Sequence, residues 1–81
     1  MISLSKLSKL SGEEVLKKAV EFFGPEGYGL ETREETSDHI SFEGGGGHVT
    51  VAANPDGRKT SVEVTSREWD RQAKEFIMSL N

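Results

Sequence analysis

No cysteine occurs in the chain, which excludes a disulfide framework, a thiolate metal site and a thiol nucleophile. Aromatic residues are scarce at 7%, with one Trp and one Tyr, and the formal charge is −4. Both features argue against nucleic acid. Base-stacking sheets expose aromatics among basic residues, and an acidic surface repels phosphate backbones. Long hydrophobic runs are also absent. Residues 1–10 alternate Ser, Leu and Lys without the uninterrupted apolar core of a signal peptide or membrane span, so a cytoplasmic protein with no membrane association is expected. At 81 residues and 8.9 kDa the chain has room for one shared core, because a domain of this size buries only about 60% of the surface its unfolded form exposes. A deep private cavity is not expected.

What the chain does contain is organised around residues 40–66. Three alternating apolar runs are separated there by Gly44-Gly45-Gly46-Gly47 and by Asn54-Pro55-Asp56-Gly57. Antiparallel partners have a constant index sum, and a slip of one residue turns the buried set outward. Pairing Phe42 with Val49 and Ile40 with Val51 satisfies one sum and closes on Gly45-Gly46 as a two-residue primed turn. Val51 with Val62 and Val49 with Val64 satisfies another, bringing Asn54 opposite Lys59. An earlier strand from Tyr28 to Arg33 fits with Leu30 opposite Phe42 and Thr32 opposite Ile40. Tyr28 and Phe42 then face inward.

Helices flank this meander. Ser11 and Glu14 form a capping box, and Val15, Leu16, Ala19, Val20, Phe22 and Phe23 supply an apolar stripe. Gly24 is expected as a left-handed cap, followed by Pro25. Ser66 is an N-cap candidate for a last helix to Leu80, with Trp69, Ala73, Phe76, Ile77 and Leu80 on its buried face. Residues 1–10 are expected to lie across the domain as an arm, with residues 11–81 forming a single α+β domain. The fold class is then α+β: a two-layer sandwich in α-β-β-β-β-α order, a four-stranded antiparallel meander with both helices on one face. In element order, and in no motif, this resembles the helix-grip and TATA-binding-protein-like families. The resemblance implies helices packed on one side of a curved sheet.

For chemistry, the glycine run is not followed by a helix or by Gly-Lys-Ser/Thr, so it reads as a turn and not a phosphate loop. The polar sheet face carries the candidate ligand-binding residues Glu43, His48, Thr50, His39 and Glu63. The register puts Glu31, Ser41, Thr50 and Glu63 in one row, and Glu43, His48 and Thr65 in the next. A carboxylate at Glu43 could orient the His48 ring and raise its basicity. His39 pairs with Ala52, two rows from His48, so the histidines do not converge as a zinc site demands. No cofactor, metal or catalytic residue is implied, and an enzyme is the less favoured reading. The favoured reading is a protein-binding or assembly module, acting on a protein partner or on itself. It uses the open edges of the first and fourth expected strands, with Glu31, Arg33, Lys59 and Glu63 as guarding charges. The alternative is a small-ligand-binding or catalytic domain around Glu43 and His48. Glu21, Glu26, Glu31, Glu34, Glu35, Asp38 and Glu43 face Arg33 as their one Lys or Arg counter-charge, which reads as a solvated acidic face or a dock for a basic partner.

Overall fold

The computed structural model describes residues 2–80. Its elements, in chain order, are β1 (Ile2–Ser8), α1 (Gly12–Phe23), β2 (Glu31–Glu35), β3 (His39–Gly44), β4 (Gly47–Asp56), β5 (Lys59–Arg67) and α2 (Asp70–Met78). The class is α+β, as expected, but the antiparallel sheet has five strands in the order β1-β5-β4-β3-β2. The additional strand is the segment read as an arm. Ile2–Ser8 pairs with Thr60–Ser66 along its whole length, and Ile2 and Leu4 pack against the core. Its Ile-Ser-Leu-Ser alternation is a strand period, and without it β5 would present an unpaired row of amides and carbonyls.

Helix α1 begins as its sequence dictates: Glu14 N–H donates to Ser11 Oγ at 3.2 Å, and Ser11 N–H donates to Glu14 Oε1 at 3.4 Å. Its end differs from expectation. Gly24 sits at φ −72°, not in the left-handed region, and its N–H closes the helix on the Val20 carbonyl. A Cβ on Gly24 would lie 2.4 Å from that carbonyl oxygen, so the glycine is needed for close approach.

Both helices cover one face of the sheet, α1 over β4 and β3, α2 over β5 and β1. Between the layers lie Val15, Leu16, Ala19 and Phe23, Ala73, Phe76 and Ile77, and the inward strand residues Ile40, Phe42, Val49, Val51, Ala53, Val62 and Val64. Each large side chain buried there contributes about 1.5–3 kcal/mol. The helices meet through Phe76, whose ring centroid lies 5.5 Å from Phe22 and 5.4 Å from Phe23. Tyr28, expected inward, is 44% exposed and stacks its edge against Phe22.

The β3–β4 hairpin has the expected register, Phe42 opposite Val49 and Ile40 opposite Val51. Gly45 and Gly46 have φ of +58° and +81°, as a type I′ turn requires. The β4–β5 register is displaced by two residues from expectation: Val51 faces Val64, Ala53 faces Val62, and Asp56 faces Lys59 across a tight Gly57-Arg58 turn. A two-residue shift keeps every inward residue inward, so burial pattern alone does not distinguish the registers. The longer ladder wins because it adds pairs at both ends, including His48 with Arg67. Ser66 consequently lies buried in β5 instead of capping α2, whose N-cap is Trp69 with no side-chain cap bond. The chain turns from β5 into α2 at Glu68, a non-glycine residue at φ +70°.

Strand β2 also begins later than expected and pairs differently. Thr32 faces Phe42, Glu35 faces Ile40, and Arg33 is the bulged residue between the two registers. All five β2 residues are exposed.

Candidate functional site

The uncovered sheet face is built by the outward residues of all five strands. One row across it reads Glu31, Glu43, His48 and Arg67. The next reads Glu34, Ser41, Thr50, Thr65 and Ser3, and the third His39, Ala52, Glu63 and Ser5. Glu43 and His48 are therefore opposite each other, as the hairpin register required, with Thr50 one row away. Thr50 is joined to Ser41, Oγ1 to Oγ at 2.9 Å. Glu63 leaves the Thr50 row for that of His39, with Ala52 between them, because of the two-residue shift. His39 and His48 stay two rows apart.

Glu43 has a different charged neighbour from the one anticipated. The bulge carries Arg33 to the first row, where its Nε lies 3.7 Å from Glu43 and its Nη1 4.0 Å from Glu31. Two carboxylates directly across a strand pair repel, and the guanidinium between them offsets that repulsion. Among the described residues no hydrogen bond joins Glu43 to His48. Arg67 is the residue that sequence reasoning missed. Assigning Ser66 to a helix cap removed Arg67 from the sheet, although the inward alternation Val62, Val64, Ser66 was the signal that the strand continued. Glu43, the glycine turn, His48 and Arg67 line a shallow depression of about 430 Å³. The turn beside it is pinned from the helix side, where Trp69 Nε1–H donates to the Gly44 carbonyl at 2.9 Å. Gly47 is required for contact, since a Cβ there would lie 2.1 Å from the Arg67 carbonyl oxygen.

His39 belongs to another cluster, at the β2–β3 turn. Its Nε2–H donates to Glu34 Oε1 at 2.6 Å, and Nδ1 lies 3.0 Å from Thr36 Oγ1 and 3.3 Å from Asp38 Oδ1. The Glu34 hydrogen bond, then that of Asp38, raises the imidazole above its usual 6.5. Hydrogen bonds from Thr36, then His39, lower the Asp38 carboxyl. The cluster closes the turn, with Thr36 N–H donating to the His39 carbonyl at 2.8 Å. Among the described residues no group of three or more His, Asp or Glu side chains is arranged to hold a metal ion.

The sheet edges are β1 and β2. The sequence reading placed the second edge on the strand that is now β5, so Lys59 and Glu63 guard no edge; β5 lies between β1 and β4. Along β1 the one charged residue, Lys6, is drawn inward, where its Nζ donates to the carbonyls of Leu80 and Ile77 at the end of α2. The Ile77 carbonyl also accepts from Leu80 N–H at 3.4 Å, and α2 has no basic residue in its last turn. The outward alternates are Ser3, Ser5 and Leu7, the last 50% exposed. Above the edge stands the flank of α2 turned away from α1. Phe76 and Ser79 line a cleft with Lys18, Glu21 and Phe22 of α1, so at 100° per residue Lys74 and Met78 fall on the opposite flank. Met78 is 78% exposed.

No protein-family model matches the chain, and no curated protein matches it. Among the described residues no helix is long and apolar enough to cross a membrane.

Proposed function

We propose that the protein is a non-enzymatic binding or assembly module that joins another protein chain, a second copy included, by adding strand to strand at β1. The observation that carries this reading is the edge itself. It is seven residues long and free of bulges, its one charged head is turned to the carbonyls at the end of α2, and its Leu7 is exposed. Natural edge strands are normally blunted by charge, proline or a bulge. A regular edge whose one charge is turned aside offers a row of amides and carbonyls for pairing.

Self-pairing is consistent with the charge distribution. The acidic residues of the 21–43 segment cluster toward the far edge, so two copies joined at β1 keep them apart. An antiparallel pairing centred on Leu4 sets Leu4 against its own copy and separates the two Lys6 residues, whereas one centred on Lys6 opposes like charges. Sedimentation velocity from about 5 to 500 µM tests the reading by mass action. Association that weakens when Ser5 is replaced by Lys supports it. A strict monomer over that range, with no partner recovered in a pull-down, sinks it.

A second reading rests on the depression beside the glycine turn, where Glu43, His48 and Arg67 present both charge signs and an imidazole to a small polar ligand. Amide shifts at Glu43, His48 and Thr50 on titration with small anions or divalent metals favour it; their absence removes it. The outline likeness to helix-grip and TATA-binding-protein-like families supports neither reading, since such folds serve unrelated functions.

A further inference from the structure

Strand β2, though guarded by charge and a bulge, also leaves its outer row of amides and carbonyls unpaired, and there it borders a groove. Helix α1 packs over β4 and β3, leaving Glu13, Leu16, Lys17, Val20 and Glu21 on its far flank. Across the gap stand Glu35, Thr36 and Ser37, and the open groove between them has a volume of about 680 Å³. That volume is in the range of sites that enclose a ligand or several side chains. Its floor is apolar, from Leu16 and from Val20, which is 37% exposed. Its rim carries three carboxylates, Glu13 and Glu21 on the helix and Glu35 at the end of the strand, with Lys17 among them.

We infer that this groove and the adjoining edge of β2 form a docking site for an extended basic segment of a partner protein, which adds as a sixth strand beneath α1. The inference rests on the strand-addition reading above but uses the opposite edge and a different occupant. The bulge at Arg33 leaves two strand residues beyond it, Glu34 and Glu35, before the chain turns at Thr36, so backbone pairing is brief and the groove supplies most of the contact. Alternate residues of an added strand point to the same side. Those directed into the groove meet an apolar floor under an acidic rim, which suits the stems and charged heads of Lys or Arg. The aliphatic stem lies on Leu16 and Val20, while the head reaches Glu13, Glu21 or Glu35. Of the nearby cations, Lys17 is on the same rim, and Arg33 is held between Glu31 and Glu43. The same carboxylates repel a second copy of this acidic edge. Charge therefore selects the occupant as well as attracting it.

An amide-resolved NMR titration with an acetylated Val-Lys-Val-Lys-Val peptide, and with its Val-Glu-Val-Glu-Val counterpart, tests this. The expected result is shifts at Leu16, Val20 and Glu34 to Ser37 with the Lys peptide alone, weakening by about tenfold as salt rises from about 50 to 500 mM. Val20→Arg and Glu35→Lys, both at exposed positions, should each reduce affinity by about tenfold or more while leaving the remaining spectrum unchanged. Absence of shifts at about 1 mM peptide, equal binding of the Glu peptide, or shifts confined to β1 or to the Glu43–His48 depression overturns the inference. If β1-mediated association persists when the Lys peptide fails to bind, this inference alone falls. If both fail, the reading beneath it falls as well.

Discussion

Strands β1 and β2 each close the sheet with an unpaired outer row of amides and carbonyls, yet their defences differ. β2 reads Glu-Thr-Arg-Glu-Glu, is exposed at every position and carries a bulge. β1 reads Ile-Ser-Leu-Ser-Lys-Leu-Ser, runs without a bulge, and turns its one lysine toward α2. The difference teaches that guarding an edge depends on where a charge ends up, and not on its presence in the sequence. Lys6 in an extended strand is a standard deterrent to pairing. Here it serves as a helix C-cap, and the edge goes unguarded.

The comparison can be broken most directly at Lys6. Lys6→Ala removes the ammonium from the Leu80 and Ile77 carbonyls, the second of which keeps Leu80 N–H, and should cost about 1 kcal/mol, read as a lower urea midpoint at unchanged slope. A variant as stable as the parent would mean that the lysine is free to guard the edge. A smaller effect of opposite sign is expected beneath β1. Ser66 lies opposite Ile2 and Val49, and among the described residues its buried Oγ has no hydrogen-bond partner. Ser66→Ala should therefore be neutral or stabilising by up to about 1 kcal/mol. Destabilisation in thermal or urea melts would show that the hydroxyl is satisfied in solution.

The smallest effect belongs to the β2 side. Because the fold raises the pKa of His39, it favours the imidazolium. That stabilisation is fully present below the unfolded value of about 6.5 and is lost as pH rises through the folded pKa. Asp38 has the opposite sign: its lowered pKa stabilises above the unfolded carboxylate value and is lost as pH falls through the folded one. His39→Ala should thus be less stable than the parent near pH 5.5 and indistinguishable from it well above the folded pKa. A His39 titration midpoint by NMR at or below 6.5 would contradict the Glu34 contact.

Much of the fold was legible locally. The Ser11–Glu14 box and the glycine turn between Phe42 and Val49 rest on residues a few positions apart and form as read; the 3.6-residue stripe of α1 forms except at Val20, which is exposed. The Glu43–His48 juxtaposition follows from that turn, so this part of the candidate site was legible too. Arg67 was not, because the β4–β5 register admits two solutions of equal parity and the Asn54–Lys59 segment suits either a two-residue or a four-residue loop. The groove beside β2 was equally hidden, since it is a space between α1 and a strand that no sequence period brings together.

The sequence by itself determined most of the residues that face the core, through periods of 2 and 3.6, with Tyr28 and Val20 the exceptions, and where the chain turns, through glycine and the capping box. Tertiary structure decided which strands are neighbours. Ile2–Ser8 has no local signal for β5, some sixty residues away in the chain; it pairs there because an exposed row of amides and an apolar alternation satisfy each other. That long-range pairing made β1 an edge and drew Lys6 to the end of α2. It also left the sheet with one guarded side and one open one.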